Sequence, residues 1–98
     1  MTQDIVNIQN LINNHKDIIK NTYLVSSIGI FGSVARGDAT STSDLDLLVE
    51  FAKPVGFLKF LSLEKFLTDI TGRQVDLVTR QALKPAIKDE ILSQTVYV

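Results

Sequence analysis

The chain has 98 residues, of which 45% are hydrophobic and 21% are charged, so it is expected to fold as one domain over residues 1–98. Ten basic residues against 11 acidic ones give a formal net charge of −1, which excludes the positive field of a protein that holds long nucleic acids. The absence of cysteine excludes disulfides, thiolate metal sites and cysteine nucleophiles.

The N-terminal segment predicts one amphipathic helix over about residues 2–21. Apolar residues recur there at steps of three and four: Ile5, Ile8, Leu11, Ile12, Ile18 and Ile19. Thr2 is the expected N-cap, because a threonine hydroxyl can accept a hydrogen bond from a free N–H of the first turn. The segment lacks the basic start and apolar run of a signal peptide, and no window approaches the roughly 20 apolar residues of a membrane span. We therefore expect a cytoplasmic protein with no membrane association.

Two strands follow, separated by a short helix and a loop. The run Leu24–Phe31 is apolar and rich in β-branched residues, which predicts a buried strand that Gly32 stops. One or two helical turns fit Ser33–Arg36, and residues 37–43 form a small polar loop. Asp44–Phe51 alternates with period two and predicts a half-buried strand. The more polar face of this second strand consists of Asp44, Asp46, Leu48 and Glu50.

The last part of the chain predicts helix, strand and helix. Helical spacing of apolar residues resumes at Phe57 and continues to Gly72. Gln74–Thr79 predicts a short strand, and a last helix begins near Pro85. Residues 96–98 are either a short edge strand or a frayed tail. The order α-β-α-β-α-β-α indicates an α/β (α+β) fold with a small mixed three-stranded sheet flanked by helices.

The pair Gly32-Ser33 is a candidate phosphate binder. Glycine permits a close approach of the backbone to a ligand. Serine offers a hydroxyl and an amide at the start of a predicted helix, which suits phosphate oxygens.

Three carboxylates are candidate ligands of a cation. Asp44 and Asp46 are residues i and i+2 of one strand, so their side chains point to the same face. Asp76 takes the equivalent place in another strand, among apolar neighbours, where strand propensity gives no reason for an acid. Carboxylates on one surface would raise one another's pKa values unless cations were bound, and Mg²⁺ prefers such oxygen ligands. The pattern indicates phosphoryl or nucleotidyl transfer with two metal ions.

The stretch GSVARGDATSTSDLDLLVE, with ten residues between Ser33 and Asp44, resembles the signature of the minimal nucleotidyltransferases, small members of the polymerase β superfamily. The resemblance continues through Asp76 and through Leu83-Lys-Pro85 with the terminal helix, so it covers most of the chain after Leu24. The implied fold is the nucleotidyltransferase fold.

The resemblance implies roles for five residues. Asp44 and Asp46 would bridge two Mg²⁺ ions, and Asp76 would bind the ion that activates the attacking hydroxyl. Gly32 and Ser33 would hold the β- and γ-phosphates of ATP.

Arg36 matches the motif too, and its role stays open between stabilising phosphate charge and clamping the loop. The family includes antitoxins whose partner is an all-helical HEPN ribonuclease toxin. The resemblance therefore implies a nucleotidyltransferase antitoxin that forms a hetero-oligomer with such a toxin. It would transfer AMP from ATP to a tyrosine hydroxyl of the toxin, neutralise it and release pyrophosphate.

Two other functions stay open. The chain could be a non-catalytic antitoxin that acts by binding and occluding its partner, or a nucleotidyltransferase for a small molecule or an RNA end. For Asp76, the alternative to a metal ligand is an ion pair with Arg73 or Arg80.

Overall fold

The computed structural model describes residues 3–98 and has a mixed four-stranded sheet with helices on both faces. The elements in chain order are α1 (Gln3–Asn13), α2 (Lys16–Asn21), β1 (Val25–Phe31), α3 (Gly32–Arg36), β2 (Leu45–Phe51), α4 (Phe57–Thr71), β3 (Val75–Thr79), a 3-10 turn (Arg80–Ala82), α5 (Pro85–Gln94) and β4 (Val96–Tyr97). In this part of the chain no helix is long and apolar enough to cross a membrane. The mixed α/β class expected from the sequence is confirmed.

The sheet has the strand order β3-β2-β1-β4. Strand β2 runs antiparallel to β1 and parallel to β3, and β4 pairs antiparallel with the other edge of β1. The predicted three strands and seven-element order were therefore wrong, because β4 adds a strand: Val96 pairs with Ile30, and Tyr97 pairs with Gly29. Of the two alternatives for residues 96–98, the short edge strand is confirmed and the frayed tail is wrong. A β-carbon at Gly29 would overlap the Thr95 side chain and lie 3.2 Å from the Tyr97 ring, so this glycine lets β4 approach.

The single first helix predicted over about residues 2–21 is also wrong, because α1 and α2 are separated at residues 14–15. The His15 N–H donates to the Ile12 carbonyl at 3.0 Å, three residues back instead of four. The His15 ring Nδ1 lies 2.9 Å from the Leu11 carbonyl, which a continuous α-helix would have bonded to the His15 N–H. The expected N-cap, Thr2, lies outside the described residues.

Strand β2 carries apolar contacts on both faces of the sheet. Its residues Leu45, Leu47 and Val49 are fully buried and meet α1, α2 and α4 in the larger core cluster. On the opposite face, Leu48 packs in a smaller cluster with Phe31 and Leu83, against which α5 rests. Asp46 shares this second face and is only half-buried. The alternation predicted for Asp44–Phe51 is confirmed, and it places the acids of β2 opposite the main core.

Helix α4 covers the outer edge of β3. The Val75 N–H donates to the Thr68 hydroxyl at 3.2 Å, and the Leu77 N–H donates to the Glu64 carboxylate at 3.1 Å. These side chains occupy backbone donors that an edge strand would otherwise leave open to pairing. Helix α4 thereby holds β3 in place at the edge of the sheet, on the side away from β2.

An ion pair ties α1 to the loop before β3. Arg73 Nη2 donates to both carboxylate oxygens of Asp4, at 2.7 and 2.8 Å. The Arg73 side chain is only 21% exposed, and its Nη1 atom is buried without a hydrogen-bond partner. The Arg73 charge therefore depends strongly on Asp4.

Replacing Asp4 with Asn should lower the free energy of unfolding by about 1–2 kcal/mol, because Arg73 keeps its largely buried charge and loses a charged acceptor. Urea denaturation at low salt measures the change. The matched control is Asp69→Asn, which breaks the exposed Lys65–Asp69 pair (3.4 Å) and should cost no more than about 0.5 kcal/mol. Equal losses in the two variants would contradict this assignment.

Candidate functional site

The predicted acids lie at the sheet edge where β1 ends and where β2 and β3 begin. Phe31 at the end of β1 is paired with Asp46, and Asp46 is paired with Asp76 across the parallel β2–β3 ladder. Paired residues of neighbouring strands lie about 4.8 Å apart and share a face. Asp44 precedes β2 by one residue and is exposed. The structure therefore makes Asp46 and Asp76 neighbours, with Asp44 close in sequence to both the strand and the site.

The charge of Asp46 is disfavoured by its surroundings. Partial burial raises the pKa of the Asp46 carboxyl above its ordinary value, and the charges of Asp76 and then Asp44 raise this pKa further. The Arg36 guanidinium acts in the opposite direction and lowers the pKa. An added cation would relieve the repulsion among the three acids.

Gly32 lies directly against the Asp46 carboxylate. Its φ of +72° is in the left-handed region, and it is buried. A β-carbon at this position would overlap an Asp46 carboxylate oxygen. The left-handed backbone conformation favours glycine here, and the absence of a β-carbon allows the close approach of the Asp46 carboxylate.

Helix α3 carries the other two predicted residues of the site. Ser33 is half-buried in its first turn, and Arg36 is exposed in its last turn. Gly37, with φ +80°, ends the helix. The Arg36 Nε donates to the Asp38 carboxylate at 3.3 Å, which links the helix end to the following loop. This contact corresponds to the loop role considered for Arg36, whereas its role toward phosphate stays a prediction.

Gln94 is a neighbour of the site that sequence reasoning missed. The Gly32 N–H donates to Gln94 Oε1 at 3.2 Å, and Arg36 Nη1 donates to the same oxygen at 3.4 Å. Gln94 is the last residue of α5, 58 positions after Arg36. In the sequence, a glutamine at the end of a helix cannot be distinguished from an ordinary solvent-exposed residue. Only the packing of α5 against α3 reveals this contact.

The two arginines considered as partners of Asp76 are engaged elsewhere. Arg73 pairs with Asp4, and Arg80 Nη1 lies 3.0 Å from Glu50 Oε1. The Glu50 hydrogen bond and charge raise the pKa of Arg80. These partners weaken the interpretation of Asp76 as half of a structural ion pair.

The donor chemistry of the acids fits a hard cation such as Mg²⁺, because all three side chains offer carboxylate oxygens. Within residues 3–98, no three histidine, aspartate or glutamate side chains are arranged to hold a metal ion. Carboxylates without a counter-ion repel one another, which opposes their convergence. Asp44 and Asp76 are exposed, so their side chains have room to turn toward Asp46. The fit therefore rests on the adjacency of Asp46 and Asp76 and on their oxygen chemistry.

Replacing Gly32 with Ala should lower the free energy of unfolding by about 2–4 kcal/mol, from left-handed strain together with overlap on Asp46. Gly72→Ala is the matched control: Gly72 has φ +69°, and a β-carbon there meets nothing within 4 Å. This control should cost only about 1 kcal/mol. Urea denaturation of both variants tests the difference, which disappears if the Asp46 contact is unimportant.

Replacing Asp46 with Asn should raise the Tm of the metal-free protein at neutral pH, because it removes a carboxylate whose charge the fold disfavours. Because the pKa of Asp46 is raised in the folded state, its ionised carboxylate destabilises the fold at every pH above that pKa. The effect is lost once the pH falls below the ordinary value of 3.8. The Tm values of the unchanged protein and of Asp46→Asn should therefore converge as the pH is lowered from neutral to acidic. Asp89→Asn, at an exposed position of α5, controls for the loss of one negative charge, and an equal rise in its Tm would refute the local explanation.

Comparison with known proteins places these features in a family. The sequence profile of the nucleotidyltransferase domain family matches residues 12–98. The protein MJ0128 of Methanocaldococcus jannaschii, whose name gives protein adenylyltransferase as a provisional assignment, is 47% identical over 92 residues, covering 93% of this chain and 94% of its own. Protein adenylyltransferase MntA of Thermococcus cleftensis is 40% identical over 91 residues, covering 93% of this chain and 92% of its own.

Solved structures agree with this fold. One, provisionally described as a minimal nucleotidyltransferase, has a TM-score of 0.74 and 30% identity, covering 91% of this chain and 93% of that one. The complex of a tri-AMPylated Shewanella oneidensis HEPN toxin with an MNT antitoxin contains a chain with a TM-score of 0.65 and 20% identity, covering 97% of this chain and 71% of that one, a likeness of fold alone. Because the family profile spans nearly the whole chain and the relatives align over most of their length, the protein belongs to the nucleotidyltransferase domain family, among its minimal members.

Proposed function

We propose that the protein is a Mg²⁺-dependent nucleotidyltransferase antitoxin that transfers AMP from ATP to a tyrosine hydroxyl of a HEPN-type ribonuclease toxin. The observation that carries the proposal is the adjacency of Asp46 and Asp76 on one sheet face, with Gly32 packed on the Asp46 carboxylate. AMP addition to the toxin would neutralise it, so the protein would act as an antitoxin through catalysis.

One relative in sequence supports the reaction, and one neighbour in structure suggests the partner. The Thermococcus cleftensis relative is named a protein adenylyltransferase, and 40% identity over almost the whole chain supports the same activity here. The Shewanella oneidensis complex combines an AMPylated HEPN toxin with an antitoxin. A HEPN-type toxin is therefore the acceptor that we propose for this chain.

The site residues would have two roles, metal binding by the acids and phosphate binding by Gly32 and Ser33. Asp44, Asp46 and Asp76 would hold two Mg²⁺ ions. When bound, these ions would neutralise phosphate charge and lower the pKa of the attacking hydroxyl. Gly32 and Ser33 would hold the β- and γ-phosphates.

In the reaction, the tyrosine oxygen forms a bond to the α-phosphorus of ATP. The bond from that phosphorus to the oxygen bridging the α- and β-phosphates breaks, the hydroxyl proton passes to solvent, and pyrophosphate leaves. Most of the acceleration in such a transfer comes from positioning and from stabilisation of charge. Asp44 and Asp76 are exposed at the sheet edge, so a hydroxyl carried by another protein can reach them.

The double variant Asp44→Asn/Asp46→Asn should lose AMP transfer while remaining folded, because amides cannot replace the carboxylate charges that bind a divalent cation. The protein is incubated with Mg²⁺, ATP and the product of the adjacent gene as the toxin to be tested, and the intact masses of both chains are recorded. The unchanged protein should add one or more AMP units to the toxin. Asp17→Asn/Asp89→Asn, at two exposed acids on α2 and α5, is the control and should retain transfer.

Mg²⁺ provides a second readout that does not depend on activity. It should raise the Tm of the unchanged protein and leave that of the Asp44→Asn/Asp46→Asn variant unmoved, because a ligand stabilises only the folded state that binds it. Transfer that survives in the double variant would refute the assigned acids. Inhibition of the toxin without ATP would favour a non-catalytic antitoxin that occludes its partner. Transfer to a small molecule or an RNA end without a toxin would favour a nucleotidyltransferase for such a substrate.

A further inference from the structure

Two donors of the candidate site converge on one neutral oxygen. Gln94 Oε1 accepts the Gly32 N–H at 3.2 Å and Arg36 Nη1 at 3.4 Å. Gly32 also lies against the Asp46 carboxylate, and the Arg36 charge acts on the same carboxyl. The Gln94 amide oxygen therefore lies between a backbone donor and a guanidinium, and that backbone donor belongs to the glycine that packs against Asp46.

This pair of donors suits an anionic oxygen better than an amide oxygen. A hydrogen bond from a guanidinium to an ionised oxygen is about twice as strong as one to a neutral acceptor. The Gly32 N–H has a single hydrogen and makes one good bond at a time, so a phosphate oxygen and Gln94 Oε1 would exclude each other. The distances to Gln94, 3.2 and 3.4 Å, are at the long end for such bonds.

The position of Gln94 allows it to leave. It is half-exposed at the end of α5, and Thr95 after it has an extended backbone. Its Nε2 donates to the Glu90 carbonyl of the same helix at 3.5 Å, a long hydrogen bond. A change of side-chain rotamer can therefore free the Gly32 N–H and Arg36 without moving the helix.

We propose that Gln94 occupies the place of a phosphate oxygen in the nucleotide-free protein and lowers the affinity for the triphosphate by competing for the Gly32 N–H and the Arg36 guanidinium. The inference rests on the proposed function, because it takes a nucleoside triphosphate as the ligand. Gln94 keeps a buried backbone donor satisfied while the site is empty, and it must move aside when the triphosphate binds. It is a residue that sets affinity and takes no part in the chemical step.

The test replaces Gln94 with Met, which preserves length and bulk and removes the strong acceptor. Titration calorimetry with Mg²⁺-ATP and with Mg²⁺-tripolyphosphate should show binding about three- to tenfold tighter than that of the unchanged protein, the range expected from losing a neutral competing hydrogen bond. Gln94→Asn, whose shorter side chain cannot reach both donors, should shift binding in the same direction. Gln94→Glu should weaken binding of both ligands, because its charge holds the donors and repels phosphate.

Gln81→Met is the matched control, since Gln81 is an exposed glutamine of the 3-10 turn, and binding should not change. In the free protein, the Gly32 amide resonance should move in Gln94→Met and stay in place in Gln81→Met, which shows the contact without any ligand.

Equal or weaker binding by Gln94→Met and Gln94→Asn would overturn the inference, as would tighter binding of ATP without tighter binding of tripolyphosphate. If AMP transfer occurs and these variants bind as the unchanged protein does, only the role of Gln94 fails. If the unchanged protein binds neither ATP nor tripolyphosphate, both the proposed function and the proposed role of Gln94 fail.

Discussion

The contact between Gly32 and the Asp46 carboxylate is the constraint on which the candidate site depends. It lies where the end of β1 meets the start of β2, in the register that pairs Phe31 with Asp46. The same register continues through the parallel ladder to Asp76. A β-carbon at residue 32 would overlap the Asp46 carboxylate and force it to move, so glycine lets this carboxylate lie against the backbone of the proposed phosphate binder.

This arrangement keeps in the candidate site a carboxyl group whose charge the fold itself disfavours. Burial and two neighbouring acids oppose ionisation of Asp46, and Arg36 offsets only part of the effect. The adjacent residues Leu45 and Leu47 are fully buried on the opposite face, where each contributes about 1.5–3 kcal/mol by leaving water. Period-two alternation therefore lets one strand bury apolar side chains in the core on one face and carry acids on the other.

The acids of the candidate site could be predicted because the sequence patterns that identify them are local. Alternation in β2 and the out-of-place acid in β3 identified Asp46 and Asp76, and the structure makes these two residues neighbours. The break at His15 could not be predicted, because it depends on a ring nitrogen taking the Leu11 carbonyl. The sequence left residues 96–98 open between an edge strand and a frayed tail, because β4 is two residues long, too short for a periodic pattern, and its pairing requires the space beside Gly29. Gln94 is brought to Gly32 from 62 residues away, so no local pattern could reveal it.

The strand order gives the site a direction under the proposed function. Across the sheet, Asp76 lies on the β3 side of Asp46, whereas Gly32 and Arg36 lie on the β1 side. In-line transfer places the attacking and leaving oxygens on opposite sides of the α-phosphorus. With pyrophosphate on the Gly32 side, the attacking hydroxyl must arrive from the side of Asp76. Arg80 is paired with Glu50 near the far end of β2, whereas the Arg36 charge acts on Asp46 from the side where pyrophosphate would leave.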